Sequence, residues 1–266
     1  MLKILIFDSG VGGLSISQSL TDCLPSAAQI LLSDNAYFPY GEMNEADLIT
    51  RVTNLLIKAA FHLQPDCIVI ACNTVSTVAL EKIRAAVTIP VVGVVPAIKP
   101  AAEISVGKVI GLLATPATVN RSYTAELVNS FAEDCLLISV GSTRLVEIAE
   151  QKLRGIAVDP IEVKAIVETF ILAEKEQHLD TIVLGCTHFP LLSDCLTKVL
   201  PTSIRLVDSS TAIARQVKKV LGLEEVSAKQ QKQLPNHRCL MTKQADFTGL
   251  DAGLKQFGFS PAEIFD

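Results

Sequence analysis

Short apolar blocks alternate with amphipathic stretches along most of the chain. Blocks at 2–7 (LKILIF), 29–32 (QILL), 67–71 (CIVIA) and 89–95 (IPVVGVV) are followed by a second set at 108–113 (KVIGLL), 135–140 (CLLISV), 181–184 (TIVL) and 204–207 (IRLV). These blocks are continuously apolar and rich in Ile and Val, the pattern of parallel strands covered on both faces. Helical spacing lies between them. Residues 45–62 put Leu48, Val52, Leu55 and Ala59 three and four apart behind Asn44, a favourable N-cap. Asp159-Pro160-Ile161-Glu162 supplies a cap, a proline at the first helical position and an acidic residue at the third, all start signals. The alternation predicts an α/β protein with doubly wound, mostly parallel sheets.

The two sets of blocks also resemble each other. Asp66 to Thr74 (DCIVIACNT) lies on Asp180 to His188 (DTIVLGCTH) at a constant offset of 114 residues, and Lys3–Ser9 lies on Val109–Thr115 at a slightly shorter one. Two such matches suggest an internal duplication into two similar halves. The block at 204–207 leads into Asp208 and a helix bearing Ile213, Val217 and Val220, and the tail to 266 is expected to pack back on the first half. The expected domains are therefore 1–96 plus 209–266, and 97–208. The tail beyond about 222 carries no usable motif, and no Gly/Ser linker marks a boundary.

Composition narrows the function. With 49% hydrophobic and 19% charged residues the chain can bury a sizeable core, which excludes intrinsic disorder. The net charge of −5 and pI near 5.5, without a long Lys/Arg run, argue against a nucleic-acid or anionic-membrane surface. Mean hydropathy is high at +0.41, yet no apolar run reaches the ~18 residues of a spanning helix. The strand-like N-terminus has no charged region or cleavage site of a signal peptide, so a cytoplasmic location is expected. Seven cysteines, an odd number without a CxxC, speak against a disulfide framework or a zinc site.

In open α/β sheets ligands sit outside the carboxyl ends of strands. Those ends carry Asp8-Ser9, Cys72-Asn73-Thr74, Thr115 with Thr118, and Cys186-Thr187-His188. Ser9 or Thr115 alone is adequately explained as a helix cap. Cysteine caps poorly and normally prefers burial within a strand, so two cysteines at the same point of two matching units need another explanation. A helix N-terminus favours the thiolate. Two such thiols on opposite faces of one substrate would act as a pair of bases, one removing a proton and the other returning it, as stereochemical inversion requires. Asp8 and His188 are their natural partners. Cys67, Cys135 and Cys195 read as core residues, Cys23 and Cys239 have no polar neighbourhood, and His62, His178 and His237 read as solvated. Gly10-Val11-Gly12-Gly13 has neither dinucleotide nor P-loop spacing and reads as room for close backbone approach or a small anion. Asp34 to Gly41 (DNAYFPYG) is a loop by its Pro and Gly, and its two tyrosines make it a candidate wall of the site.

FDSGVGGLS (7–15), DNAYFPYG (34–41), ACNTVST (71–77), LGCTHFPLL (184–192) and VDSS (207–210) together resemble the glutamate racemases of the wider aspartate/glutamate racemase group, from residue 1 to about 220. The resemblance implies two pseudo-symmetric α/β domains with the active site in the cleft between them. It implies interconversion of L- and D-glutamate for peptidoglycan without pyridoxal phosphate, other cofactor or metal. Cys72 would deprotonate D-glutamate with Asp8 assisting, and Cys186 would deprotonate L-glutamate with His188 assisting. Ser9, Tyr40, Gly41, Asn73, Thr74, Thr115, Thr118 and Thr187 would bind the amino and carboxylate groups. Glu150 falls where the family has another acidic residue, with Glu147 competing for the place. The loop departs from the family in continuing Glu42-Met43, where a basic or small polar residue is expected. A homodimer is expected by resemblance. The alternatives are a racemase of aspartate or another small amino acid on the same scaffold, and a non-catalytic amino-acid-binding protein. A thiol-redox role is disfavoured because 114 residues separate the cysteines and a disulfide would destroy the two-base arrangement.

Overall fold

A computed structural model describes residues 1–223 and 235–266; most of the polar 224–238 stretch lies outside the described residues. The chain folds as two compact units. One comprises Met1–Val94, Leu153–Gly155 and Ser210–Asp266, and the other Val95–Lys152 and Ile156–Ser209. Among the described residues ten strands form two sheets, and every pairing is parallel.

The first unit begins β1 (Lys3–Asp8), α1 (Leu14–Cys23), β2 (Ala28–Ser33), α2 (Glu45–Leu63), β3 (Cys67–Ile70), α3 (Asn73–Val78), α4 (Leu80–Ala86) and β4 (Val91–Gly93). The second runs α5 (Ile98–Ile104), β5 (Val109–Ala114), α6 (Pro116–Val119), α7 (Ser122–Phe131), β6 (Leu136–Gly141), α8 (Arg144–Leu153), α9 (Pro160–Ile166), α10 (Glu168–Gln177), β7 (Thr181–Leu184), α11 (Ser193–Val199) and β8 (Arg205–Val207). The chain then adds α12 (Ser210–Val220), β9 (Arg238–Met241), α13 (Leu250–Gln256) and β10 (Glu263–Ile264) to the first unit. All eight blocks legible as strands are strands. β9 and β10 come from the tail and extend the first sheet beyond β2, giving the order β10-β9-β2-β1-β3-β4.

The second sheet has the order β6-β5-β7-β8, the same plan as β2-β1-β3-β4. Registers agree as well. Phe7 pairs with Ile70 at the end of β1 and β3, and Leu113 with Leu184 at the end of β5 and β7. The two halves are thus copies of one design, as the 114-residue offset suggests.

The central strands of each sheet are covered on both faces, which is why they carry no polar alternation, whereas the outer β6 and β8 are only partly covered. In the first unit Leu5, Phe7, Ile68 and Ile70 pack with Leu48, Val52, Leu55, Leu56 and Ala59 of α2. Asn44 Oδ1 caps that helix, accepting from the backbone N–H of Ala46 at 2.9 Å. On the other face Gly13 brings the start of α1 close, since a Cβ there would lie 2.9 Å from Ile6 Cγ2 and Leu31 Cδ1. In the second unit Ile110, Leu112 and Ala114 pack with Ile98, Ala101 and Ala102 of α5, while Gly111 faces Phe170 of α10. Asp159 caps α9 through the Ile161 N–H at 2.8 Å. No helix among the described residues is long and apolar enough to cross a membrane.

Candidate active site

In the first unit Asp8 ends β1 and Cys72 follows β3, the neighbouring strand, so parallel pairing brings both to the same sheet edge. The Ala71 N–H donates to the Phe7 carbonyl at 2.8 Å, carrying the register to the residue before Cys72. Asp8 is buried, and its Oδ1 accepts the Ser9 N–H at 2.7 Å. Ser9 therefore caps no helix, as α1 does not start until Leu14. Cys72 occupies the N-cap position of α3 without a side-chain cap bond, and Asn73 and Thr74 form the first turn, both buried. Ser76, which the motif contains but the sequence gives no role, fixes this helix to the sheet. Its hydroxyl donates to the Ile70 carbonyl at 3.1 Å and accepts the Val94 N–H at 3.0 Å.

Thr115 and Cys186 hold the matching places at the ends of β5 and β7 in the second unit. Thr115 and Thr118 hydroxyls lie 3.1 Å apart, and Thr118 is buried where Thr115 is half-buried. The segment after Cys186 differs from its counterpart. No α-helix starts there: Cys186-Thr187-His188 leads into a 3₁₀ turn at Phe189–Leu192, and α11 begins only at Ser193. A helix N-terminus thus supports Cys72 but not Cys186, correcting the expectation for the second thiol.

Cys186 is served by side chains instead. His188 Nδ1 lies 3.9 Å from its sulfur, and Nε2 lies 3.0 Å from Glu150 Oε1 on α8. Glu147 is exposed and paired with Arg144 at 2.7 Å, so Glu150 is the carboxylate that meets the histidine. Burial alone would lower the His188 pKa, but hydrogen bonds and charge from Cys186 and Glu150 outweigh it and raise it well above 6.5. As imidazolium, His188 donates from both nitrogens, to the sulfur and to the carboxylate. Phe189, fully buried, pins this turn, and Lys152 ties α8 to it by donating to the Leu191 carbonyl at 2.8 Å and pairing with Asp194.

Tyr40 and Gly41 belong to the 36–41 loop of the first unit. Gly41 is exposed. Tyr40 is only 2% exposed, and its hydroxyl donates to Asp34 Oδ2 at 2.6 Å. Asp34 itself, 0% exposed, accepts from Arg51 on α2 and from Thr242 just past β9. Pattern reading missed Asp34, Arg51 and Thr242; the one available signal is an acidic residue beside the tyrosines of a Pro/Gly loop. Burial pushes the Asp34 carboxyl up, but hydrogen bonds from Arg51, Thr242 and Tyr40 more than reverse this and hold it below 3.8. Burial and the adjacent Asp34 carboxylate push the Tyr40 phenol far up, so it stays protonated.

The other cysteines and histidines sit apart from these groups in role. Cys67 and Cys239 are fully buried in strands. Cys135, just before β6, is half-buried and packs against the core of the second unit, while Cys195 on α11 is half-buried beside Asp194. His62 and His178 are exposed at helix ends. His237 is not solvated: it is 5% exposed, and its Nδ1 accepts the Gln29 N–H at 3.2 Å because β9 is a strand and not a polar loop. Among the described residues no three His, Cys, Asp or Glu side chains cluster as metal ligands.

Comparison with known proteins shows the family of the chain. The family model for Asp/Glu/Hydantoin racemase matches residues 14–217. A glutamate racemase of Vibrio cholerae is 45% identical over 264 residues, covering 99% of this chain and 96% of that one. One from Aliivibrio fischeri is 53% identical over 225 residues, covering 85% and 83%. The crystal structure of Escherichia coli glutamate racemase, in complex with L-glutamate and the activator UDP-MurNAc-ala, superposes with a TM-score of 0.90 at 42% identity, covering 99% of this chain and 98% of that one. Matched by the family model over residues 14–217 and by these glutamate racemases over most of its length, the chain belongs to the Asp/Glu/hydantoin racemase family, among its glutamate racemases.

Proposed function

We propose that the chain interconverts L- and D-glutamate by a two-base mechanism in which each unit supplies one thiol. The observation that carries this reading is the duplication itself: one sheet plan occurs twice, and each copy puts a cysteine just past the strand paired to its first strand. Inversion at a carbon bearing hydrogen needs two proton-transfer groups on opposite faces, and a duplicated half is an economical source of two.

Acting on L-glutamate, Cys186 as thiolate takes the α-proton, and the Cys72 S–H delivers a proton to the opposite face of the carbanion. Acting on D-glutamate, the roles reverse. His188 as imidazolium stabilises the negative sulfur of Cys186, and Glu150 fixes its ring. Asp8 serves Cys72. Ser9, Gly41, Asn73, Thr74, Thr115, Thr118 and Thr187 hold the amino and carboxylate groups, while Tyr40, bound to Asp34, anchors the loop that carries Gly41. Two thiols complete the exchange without pyridoxal phosphate or a metal, so added cofactor or chelator should leave the rate unchanged. The reaction would supply D-glutamate for peptidoglycan in the cytoplasm, with a homodimer as the expected assembly.

The test follows the α-proton. Incubation with L- or D-glutamate in deuterium oxide should give the racemate with deuterium at Cα. Binding without change in optical rotation would instead indicate a binding protein, and a higher kcat/KM for aspartate in an amino-acid panel would move the substrate.

A further inference from the structure

Beyond the thiols, the first unit holds a heavily engaged ionised group whose role pattern reading passed over. Four donors converge on the two oxygens of the fully buried Asp34. Arg51 approaches as a fork, with Nε 3.0 Å from Oδ2 and Nη2 2.8 Å from Oδ1. The Tyr40 hydroxyl donates to Oδ2 at 2.6 Å and Thr242 Oγ1 to Oδ1 at 2.6 Å. A buried carboxylate is costly unless fully satisfied, and a forked guanidinium also fixes orientation.

The network is aimed at the 36–41 loop. Arg51 also stacks its guanidinium 4.5 Å above the Tyr37 ring, so it holds the loop at two points. Thr242 accepts the Ala36 N–H at 3.2 Å, and Lys243 N–H donates to Asn35 Oδ1 at 2.9 Å. The Asp34 backbone N–H donates to the Asp8 carbonyl at 2.9 Å. One residue therefore anchors the tyrosine by its side chain and abuts the Asp8 strand end by its backbone. With its proton committed to Asp34, the Tyr40 hydroxyl is spent as an anchor and offers a substrate carboxylate no donor.

We propose that the Asp34–Arg51 pair, completed by Thr242, is a positioning device that sets the 36–41 loop for substrate binding, with Tyr40 as its handle. The inference rests on the function proposed above. None of the three groups is assigned a contact with the reacting atoms, so the cost of breaking the device falls on substrate affinity and not on proton transfer.

The experiment is steady-state kinetics of the full-length chain in both directions, with thermal unfolding in parallel. Arg51→Met should raise the KM for glutamate by roughly ten- to a hundred-fold, the scale of a misplaced positioning group, while kcat changes far less. Arg51→Lys keeps the charge without the fork and should recover part of that loss. Thr242→Val removes one hydroxyl at constant shape and should raise KM by about two- to ten-fold. Inactive wild-type enzyme would defeat the proposed function and this inference with it. Active wild type, with Thr242→Val unchanged in KM or with the Arg51→Met loss in kcat alone, would overturn the positioning role only. The valine variant decides the matter if Arg51→Met does not fold.

Discussion

The ends of β3 and β7 are the same place in two copies of one sheet, finished by different means. In the first, Cys72 sits at the N-terminus of a short α-helix and Asp8 stands on the adjacent strand end. In the second the helix is gone, and a buried His188 backed by Glu150 stands beside Cys186. A backbone device supports one thiol and a side-chain relay the other. The shared sheet plan fixes where the thiols sit and leaves open how each is supported, because the strand end specifies position and not electrostatics.

The largest expected effect tests the likeness of the two ends. Cys72→Ser and Cys186→Ser should each lower kcat by roughly 10²- to 10⁴-fold, the contribution of a positioned proton-transfer group. A small loss from one of them would leave a single base and break the symmetry.

The next tests their difference. His188→Gln should cost about a hundred-fold in kcat, at the lower end of that range, and more in the direction that Cys186 initiates. In Glu150→Gln the imidazole loses a charge that helps raise its pKa. A group with a raised folded pKa keeps its charged-state contribution below its ordinary 6.5 and loses it as pH rises through the folded value. The alkaline limb of the rate profile should therefore move to lower pH in Glu150→Gln. Asp8 is no part of this relay, so its variants should leave that limb in place.

These contrasts mark how far the sequence could be read. The strand blocks were legible because strands buried on both faces, such as β1, β3, β5 and β7, need unbroken apolar runs. β9 was not: RCLM (238–241) is a four-residue strand set between the polar His237 and Thr242, and β10 has only two residues. The two cysteines stood out because their residue type conflicts with a capping role. The choice of Glu150 over Glu147 was hidden, since residues three apart on one helix share a face; only Arg144, which pairs with Glu147, separates them. Asp34 was hidden for another reason. Its partners Arg51 and Thr242 lie 17 and 208 residues away, beyond any local periodicity.

A smaller effect compares the residue before each thiol, Ala71 in the first unit and Gly185 in the second. A Cβ at Gly185 would lie 2.9 Å from Leu112 Cδ1 and 3.1 Å from Ala114 Cβ. The leucine tip can yield but the alanine cannot, so Gly185→Ala should lower stability by about 1–2 kcal/mol in denaturant titration. No loss would mean the second sheet packs as loosely as the first at this point.

The smallest concerns a feature the first unit alone has. Burial lowers the His237 pKa below 6.5, so the unfolded chain binds more protons as pH falls from 6.5 toward the folded value. Stability should decline over that window, and His237→Gln, which can still accept the Gln29 N–H, should show a shallower decline.

The tail strand also imposes an order of assembly. β9 pairs with the outer edge of β2, Ile30 opposite Arg238, while β5 to β8 of the second unit lie within about half as much chain. During synthesis from the N-terminus, the second sheet has all its strands before the first does. Until β9 arrives, β2 presents an open edge of the kind that invites pairing with other chains. Asp34 meanwhile lacks its threonine. The anchor of the 36–41 loop is therefore among the last contacts a newborn chain can close, and a nascent chain halted before residue 238 would hold both cysteines but an unfinished loop.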